Sequence, residues 1–314
     1  MPVPVVQCAP NVSEGRDRRV IDRIADAVRS VQGVKLADIH TDPDHHRSVL
    51  TFLGSPDDAE SAALALAEAS LAAIDMRSHQ GVHPRIGALD VMPFVPLRAM
   101  TMGEAVALAH RVGRTLGARF ALPVYFYGEA ALRQDRRRLS EIRRGEYEAL
   151  ERKLADPAFA PDAGPARFNP RSGATAVGAR GILVAYNVWL GSGDLEAARA
   201  IARAVRESSG GLPGLQAMGV RLPSRGLAQV SMNLLDCRRT SLPVVFDRVR
   251  SEATRLGVAV KRGELVGLAP REAFAGRSPE SVGLLDFTPA KLLESYLPEE
   301  PPASSPSSFA PAPG

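Results

Sequence analysis

One order of predicted elements occurs twice along this chain. Residues 5–29 read VVQCAPNVSEGRDRRVIDRIADAVR and align with residues 182–206, ILVAYNVWLGSGDLEAARAIARAVR, where a one-residue shift at the Asn-Val turn matches Asn11 with Asn187. Each stretch predicts a strand, an Asn-Val turn, a loop and an amphipathic helix that ends in Ala-Val-Arg. We interpret this as one structural unit that occurs twice by duplication. The alternative is that two unrelated βα units share the pattern because all strands and helices have the same side-chain periodicities.

The elements that follow keep the same order in both halves. Two predicted strands come next, and then helices that begin at Ser55 and near Thr240. Ser55 precedes a proline and two aspartates, which are favoured at a helix N-terminus. The β-α-β-β-α repeat predicts an α/β (α+β) fold of two similar subdomains, each a mixed β-sheet with helices packed on one side. A crevice between the subdomains is then a natural ligand site.

The predicted subdomains comprise residues 1–178 and 179–296. The remaining residues, 297–314, read LPEEPPASSPSSFAPAPG and are rich in proline, serine and alanine. A segment of this composition buries too little apolar surface to order itself, so we expect a disordered tail.

The composition excludes several classes of protein. The 314 residues are 45% hydrophobic, enough for a full core, and Cys8 and Cys237 show no zinc-binding spacing. No signal peptide or membrane-spanning run is visible, so we expect a cytoplasmic protein without a membrane partner. The net charge of +4 is scattered and the 5% of aromatic residues form no base-stacking pattern, so no nucleic-acid partner is expected.

Five of the six histidines fall in two short segments, and only His110 lies in a predicted helix, over residues 102–117. The first segment, residues 38–49, reads DIHTDPDHHRSV and forms a loop between two predicted strands. Three interpretations of it stay open: contact with a substrate, a turn built on Asp-Pro-Asp, and a zinc or manganese site. Adjacent residues such as His45 and His46 do not easily converge on one ion if the chain is extended.

The second segment, residues 74–96, has no clear period and is predicted to be a loop. His79 and His83 are four residues apart, but Gly81 and Pro84 disfavour a continuous helix, so this is not a metalloprotease-like H-x-x-x-H face. Beside the positive charge of Arg85, His83 is expected to be a neutral base near pH 7.

Several motifs of the chain, in order, resemble those of the formiminotransferase domain family. They are PNVSEGR, IDMRSHQGVHPRIGALDVMPF, VYFYGEAA, RRGEYEAL, PDAGPARFNPRSGATAVGAR and AQVSMNLLD, and the resemblance covers residues 8–268. It implies a two-subdomain α/β enzyme, usually dimeric, that binds folate in a positively charged tunnel between its halves. The residues after 268 are expected to be too few for the cyclodeaminase domain that follows in some relatives.

The resemblance also implies an activity. A formimidoyl group passes from N-formimino-L-glutamate to N5 of tetrahydrofolate, a co-substrate, in histidine degradation and one-carbon metabolism, and no metal is expected. The family's catalytic histidine corresponds to His83, and its folate-binding segment to residues 164–173. That segment comprises Gly164, Pro165, Ala166, Arg167, Phe168, Asn169, Pro170, Arg171, Ser172 and Gly173.

Further candidates lie around the first histidine segment. Arg47 and Arg85 are candidates for the two carboxylates of the glutamate portion, with His79 and Asn11 as additional substrate contacts. The family pattern D-x-D-x-G places a catalytic aspartate where this chain has His40, so His40 and Asp42 are both expected to contribute to catalysis. Because of His40, formyl transfer between 5-formyltetrahydrofolate and glutamate stays an alternative.

Two further alternatives belong to other functional classes. A folate-binding module without turnover would accommodate the unusual His40, and metal-dependent hydrolysis would use the loop that carries His45 and His46.

Overall fold

The computed structural model describes residues 3–297, which form two β-sheets with helices packed on them. The predicted tail, apart from Leu297, lies outside the described residues. Seven strands form the first sheet: β1 (Val5–Cys8), β2 (Asn11–Val12), β3 (Lys35–Asp42), β4 (Arg47–Gly54), β5 (Leu89–Arg98), β6 (Val124–Gly128) and β7 (Thr175–Ala179). Four strands form the second: β8 (Val184–Leu190), β9 (Leu215–Leu222), β10 (Leu227–Leu234) and β11 (Val260–Val266).

Seven α-helices are present within the described residues: α1 (Arg18–Arg29), α2 (Pro56–Ala73), α3 (Met102–Phe120), α4 (Leu139–Arg143), α5 (Leu150–Ala155), α6 (Leu195–Val205) and α7 (Leu242–Arg255). The predicted start of α2 is confirmed, because the Ser55 side chain accepts a hydrogen bond from the backbone N–H of Asp58 and Pro56 is the first helical residue. None of the helices in this described part is long and apolar enough to cross a membrane.

The repeat predicted from the sequence is visible in the topology. The first half contains β1-α1-β3-β4-α2-β5, and the second contains β8-α6-β9-β10-α7-β11. The strands are also arranged alike, as β3-β4-β1-β5 in the first sheet and β9-β10-β8-β11 in the second. Each half is therefore a β-α-β-β-α-β unit, one strand longer than the repeat that the sequence indicated.

The strand directions differ from the prediction in the second sheet. All of its strand pairs are antiparallel, whereas a mixed sheet was expected there. The first sheet is mixed because β7 pairs in parallel with both β5 and β6. Of these strands, β6 and β7 lie outside the repeated unit. Helix α3 connects β5 to β6 and returns the chain to the same end of the sheet, which makes these strands parallel.

The helices leave one face of each repeat unit uncovered. On the first sheet α1, α2 and α3 pack on the face that carries Leu50 and Phe52, and on the second sheet α6 and α7 pack on the face that carries Tyr186 and Val230. Helices on one side of each sheet were predicted, and the two repeat units agree with this. The exception is at β6 and β7, where Ile142 of α4 and Leu150 and Leu154 of α5 pack on the opposite face.

The segment predicted as a loop over residues 74–96 contains a central strand. Its first part is a short 3₁₀ turn, Met76–Ser78, followed by an irregular stretch, but its last part belongs to β5. Leu89 to Val95 are all buried, so the strand lacks the alternation of a half-exposed strand. Two prolines, Pro93 and Pro96, also argue against a central strand in the sequence.

Candidate active site

The uncovered faces of the two units lie against each other, and the polar residues of the site lie between them. Because side chains alternate along a strand, the helix-free face of the first sheet carries His40 on β3 and Arg47 on β4. The corresponding face of the second sheet carries Asn187, Gln229 and Glu264. A small apolar cluster, which includes Val49 and Val266, joins the two faces beside this polar group.

His83 comes from the loop before β5 and contacts both the backbone and a cation. Its Nδ1 lies 2.8 Å from the carbonyl oxygen of Pro84, which only accepts hydrogen bonds. Its Nε2 lies 2.5 Å from Nη1 of Arg47, which only donates. The ring is therefore the neutral tautomer with hydrogen on Nδ1, and its lone pair is on Nε2.

The surroundings of His83 oppose its protonation. Burial lowers the pKa of His83 well below its usual value, and the charges of Arg47 and Arg143 lower it further. The ring of His45 is stacked on it, with the ring centroids 5.6 Å apart. Since His83 retains some accessible surface, its Nε2 can act as a base toward a ligand in the crevice once the hydrogen bond from Arg47 is exchanged.

Arg47 is a cation that lacks an anionic partner in the described chain. Within the described chain, His83 is the one side chain that forms a hydrogen bond with Arg47. No carboxylate of the described residues lies within 4.0 Å of its guanidinium. Burial lowers the pKa of Arg47 to about 10, helped by the charge of Arg143 and opposed by those of Asp90, Asp42 and Glu264. The guanidinium is still charged near pH 7, so the site offers an anion a place to bind.

His45 connects the loop between β3 and β4 to the second subdomain. Its Nε2 donates to Oε1 of Gln229 over 3.1 Å, and its backbone N–H donates to Oδ1 of Asp42 over 2.7 Å. Burial lowers the pKa of His45, and the charge of Arg47 adds to this effect. A neutral His45 thus holds its position through hydrogen bonds.

Asp42, at the end of β3, and Asp44, in the loop that follows, bind two residues of the second subdomain, Ser224 and Arg225. We call these four residues the Asp–Arg clasp. Nη1 of Arg225 lies 3.0 Å from Oδ2 of Asp42 and 2.8 Å from Oδ2 of Asp44. Asp44 also accepts hydrogen bonds from the backbone N–H and the hydroxyl of Ser224. Since both oxygens of Asp42 are engaged, its geometry is that of a structural acceptor, and its predicted role in catalysis is not supported by this arrangement.

His40 lies in the site, next to a carboxylate from the second subdomain. Its Nε2 is 3.8 Å from Oε1 of Glu264, beyond the range of a hydrogen bond. Burial lowers the pKa of His40, although the negative charges of Glu264 and Asp38 oppose this shift. Asp38 is itself paired with Lys291 at 2.7 Å.

Arg85 and His79 form a separate group on the outer side of the His83 loop. The Arg85 guanidinium is paired with Glu146 and Glu148, and its Nε donates to Nδ1 of His79 over 3.1 Å. Nε2 of His79 donates to the carbonyl oxygen of His46 over 2.8 Å. Because the charge of Arg85 is already balanced, the geometry does not favour the predicted contact with a substrate carboxylate, and the same holds for His79.

Asn11 is the remaining substrate candidate from the first subdomain. Its Nδ2 donates to the carbonyl oxygen of Ala9 over 3.1 Å, where Pro10 separates β1 from β2. This contact stabilises the interruption of the strand, and the predicted substrate contact of Asn11 stays a prediction.

The predicted folate-binding segment, residues 164–173, lies alongside the His83 loop. The two are joined by a bridge between Gly173 and Gly87 and by a hydrogen bond from the backbone N–H of Ala88 to the carbonyl oxygen of Ser172. The ring of Phe168 packs on Tyr147. The stretch from Gly164 to Arg167 is exposed, so it is accessible to a ligand.

Sequence reasoning missed the residues that the second subdomain contributes, namely Glu264, Gln229 and Arg225. Glu264 and Arg225 lie outside the quoted motifs, and Gln229 lies within AQVSMNLLD but carries no feature there that indicates a role in the site. The available signal was the alignment of Asn187 with Asn11, which pointed to a polar position on the first strand of the second unit. Within the described residues, no group of three or more His, Cys, Asp or Glu side chains is arranged to hold a metal ion.

The pH dependence of stability follows from His79. Burial lowers the pKa of His79 to about 4, below the value of about 6.5 expected in the unfolded chain. The stability that neutral His79 contributes is therefore fully present above pH 6.5 and is lost as the pH falls toward 4. Over this range the free energy of unfolding decreases by about 3 kcal/mol. We expect the free energy of unfolding in urea to fall less steeply over this range in His79→Gln than in the parent protein. Parallel curves would contradict this assignment.

Gly81 tests how closely the two histidine segments pack. A Cβ at this position would lie 2.3 Å from the carbonyl oxygen of His45 and 2.8 Å from Cβ of His46. We expect Gly81→Ala to displace the His45 loop and to cost about 1–3 kcal/mol of stability in a denaturant titration. Gly103→Ala is the control, because the nearest atom is 3.9 Å away and alanine is favoured in a helix. Equal stabilities of the two variants would refute the close packing.

Comparison with known proteins agrees with the two-part architecture. The family model "Formiminotransferase domain, N-terminal subdomain" matches residues 5–180, and "Formiminotransferase domain" matches residues 185–278. Glutamate formimidoyltransferase of Thermoplasma acidophilum is 41% identical over 292 residues, which covers 92% of this chain and 96% of that protein. The enzyme of the same name from Streptococcus pyogenes is 38% identical over 294 residues, with 93% and 98% covered.

A longer relative aligns over part of its length. Formimidoyltransferase-cyclodeaminase of Sus scrofa is 45% identical over 276 residues, which covers 86% of this chain and 51% of that protein. The two family models thus match the chain in the same order as the two sheets. Two relatives also align with it over almost their entire length. The chain belongs to the formiminotransferase family.

Proposed function

We propose that this chain is a glutamate formimidoyltransferase. It transfers the formimidoyl group of N-formimino-L-glutamate to N5 of tetrahydrofolate and produces 5-formimidoyltetrahydrofolate and L-glutamate. The observation that carries this proposal is a neutral histidine, His83, whose Nε2 meets the unpaired guanidinium of Arg47. The relatives that bear this name and align over nearly their whole length support the same reaction.

The reaction requires one proton to move between two nitrogens. N5 of tetrahydrofolate attacks the amidinium carbon of the donor and forms a tetrahedral intermediate, in which N5 carries an extra proton. The Nε2 atom of His83 accepts this proton and then gives it to the nitrogen of the glutamate portion. The bond from carbon to that nitrogen breaks, and glutamate leaves as a neutral amine. One histidine thus acts first as base and then as acid.

Arg47 is suited to hold a carboxylate of the glutamate portion. A guanidinium binds a carboxylate through two parallel hydrogen bonds, and Arg47 has no competing anion in residues 3–297. Binding of an anion would also offset the positive charge that lowers the pKa of His83. His83 therefore becomes a stronger base when the donor is present, which couples binding to proton transfer.

The folate is proposed to lie along residues 164–173. The exposed backbone of this segment and the guanidinium of Arg167 offer hydrogen-bond donors, and the bridge to Gly87 keeps the segment next to the His83 loop. Tetrahydrofolate is then a co-substrate placed between this segment and the donor. A role in histidine degradation, a homodimer and a cytoplasmic location remain predictions from the sequence.

Replacement of His83 tests its role in proton transfer. We expect His83→Ala to lower kcat for formimidoyl transfer by about 10²–10⁴-fold, because the proposed base for the proton of N5 is lost. Affinity for tetrahydrofolate, measured by calorimetry, should change little. His110→Gln is the control, since His110 lies in α3 and donates to the carbonyl oxygen of Ala130, away from the site. Equal kcat in both variants and the parent protein would exclude His83 as the acid–base residue.

Replacement of Arg47 separates binding of the two substrates. We expect Arg47→Gln to raise KM for N-formimino-L-glutamate by about 10–100-fold, the usual effect of losing a charge-assisted hydrogen bond, with little change in KM for tetrahydrofolate. Arg111→Gln is the control, because Arg111 is exposed and pairs with Glu60. If Arg47→Gln affected both KM values equally, Arg47 would not be the carboxylate site.

A further inference from the structure

Glu264 is a carboxylate that the second subdomain contributes to the crevice. It lies on β11 and points from the helix-free face of the second sheet. Its Oε2 accepts hydrogen bonds from Nδ2 of Asn187 at 2.9 Å, from Nε1 of Trp189 at 3.1 Å and from Nε2 of Gln229 at 3.0 Å. This side chain is thus held in one orientation by a fixed set of donors.

All of these donors are neutral, so the charge of Glu264 is not cancelled by them. Within the described residues, the one ion-pair contact of Glu264 is with His40, at 3.8 Å from Oε1. Burial lowers the pKa of His40, so this ring is neutral near pH 7 and leaves the negative charge of Glu264 in place. Other acids near the site are engaged: Asp42 is paired with Arg225 and Asp90 with Arg143.

The free oxygen of Glu264 is accessible. No residue of the described chain donates a hydrogen bond to Oε1, and the side chain retains 17% of its exposure. A carboxylate with one oxygen fixed and the other free is well placed to accept a hydrogen bond from a cationic ligand.

Glu264 also belongs to the group of residues around His83. Gln229 donates to Glu264 and accepts from His45, and the ring of His45 is stacked on that of His83. Arg47, which contacts His83, lies close enough for the charge of Glu264 to oppose the lowering of its pKa. The crevice thus presents a cation from the first subdomain and an anion from the second.

We propose that Glu264 binds the terminal nitrogen of the formimidoyl group and makes the site selective for formimidoyl over formyl donors. This rests on the proposed function, whose donor carries an amidinium. An amidinium is positively charged and its terminal NH₂ donates hydrogen bonds, whereas a formyl group is neutral and places an accepting oxygen at the same position. A carboxylate attracts the first and repels the second.

The charges then orient the donor. Arg47 holds a carboxylate at one end and Glu264 holds the amidinium at the other, so that the carbon to be attacked lies between them, near His83. The terminal nitrogen stays with the one-carbon unit from donor to product, so the same contact can be kept throughout the transfer. Glu264 is therefore a binding residue that sets donor specificity, and the proton passes through His83.

The full-length Glu264→Gln variant tests this assignment. Glutamine keeps the size of the side chain and an oxygen that can accept from Asn187, Trp189 and Gln229, but it loses the charge. We measure kcat/KM for N-formimino-L-glutamate with tetrahydrofolate, and the Ki of N-formyl-L-glutamate as a competitor. The variant should lose about 10–100-fold in kcat/KM for the formimidoyl donor. The formyl compound should bind as well as it binds the parent protein or better.

Two further variants make the result specific. Glu264→Asp keeps the charge and should keep the preference for the formimidoyl donor, even if kcat/KM decreases. Glu196→Gln is the matched control, because Glu196 lies on the exposed side of α6 and pairs with Arg199. Thermal unfolding of all variants shows whether each is folded; if Glu264→Gln is not, the comparison of Glu264→Asp with the parent protein decides.

Failure of this inference is distinguishable from failure of the proposed function. A parent protein that does not transfer a formimidoyl group at all overturns the proposed function, and the assignment of Glu264 with it. A parent protein that is active, combined with an unchanged preference in Glu264→Gln, overturns the assignment of Glu264 alone. Loss of the preference in Glu264→Asp also overturns it, because the charge would then not be the cause.

Discussion

The contact between the two helix-free sheet faces is the constraint on which the site depends. Each repeat unit covers one face of its sheet with helices, and the other face has to be buried against something. The uncovered face of each unit is buried by that of the other unit. Polar side chains on these faces need hydrogen-bonding or ionic partners, because burial of a polar group without a partner is costly. The Asp–Arg clasp and the hydrogen bond between His45 and Gln229 provide such partners. The interface between subdomains and the candidate active site are therefore the same region of the molecule.

The electrostatics of this region explain why His83 is neutral. Burial disfavours a charged ring, the positive charges of Arg47 and Arg143 add to this effect, and the carbonyl of Pro84 fixes the hydrogen on Nδ1. Arg143 is compensated by Asp90, whereas Arg47 has no such partner in the described chain. Arg47 is therefore available for an anionic ligand. The lone pair on Nε2 of His83 points toward the guanidinium of Arg47.

The sequence predicted the parts that depend on local pattern. The repeated β-α-β-β-α order, the start of α2 at Ser55 and the segment that carries His83 all follow from periodicity, capping residues and a continuous motif. The role proposed for Arg85 rested on its position next to His83 in the sequence, but its side chain is paired with Glu146 and Glu148. Neighbours in an irregular loop need not share a direction, and no sequence pattern fixes it.

Contacts between distant residues could not be predicted for a different reason. Glu264 is a single acid in a strand of otherwise ordinary composition, and its partners Asn187, Trp189 and Gln229 lie on two other strands. Only the register of the second sheet brings them together, and register depends on the whole packed face. The fold class was therefore accessible from the sequence, while the contribution of the second subdomain to the site was not.

The two repeat units contribute different chemical groups to the site. The sequence alignment pairs Asn11 with Asn187, yet Asn11 stabilises the break at Pro10 by donating to Ala9, and Asn187 donates to Glu264. The first strand is interrupted in the first unit and continuous in the second. The proposed base His83 and the cation Arg47 come from the first unit, and the carboxylate of Glu264 comes from the second. Opposite charges on the two units attract each other and also define the two ends of a ligand that bears both charges.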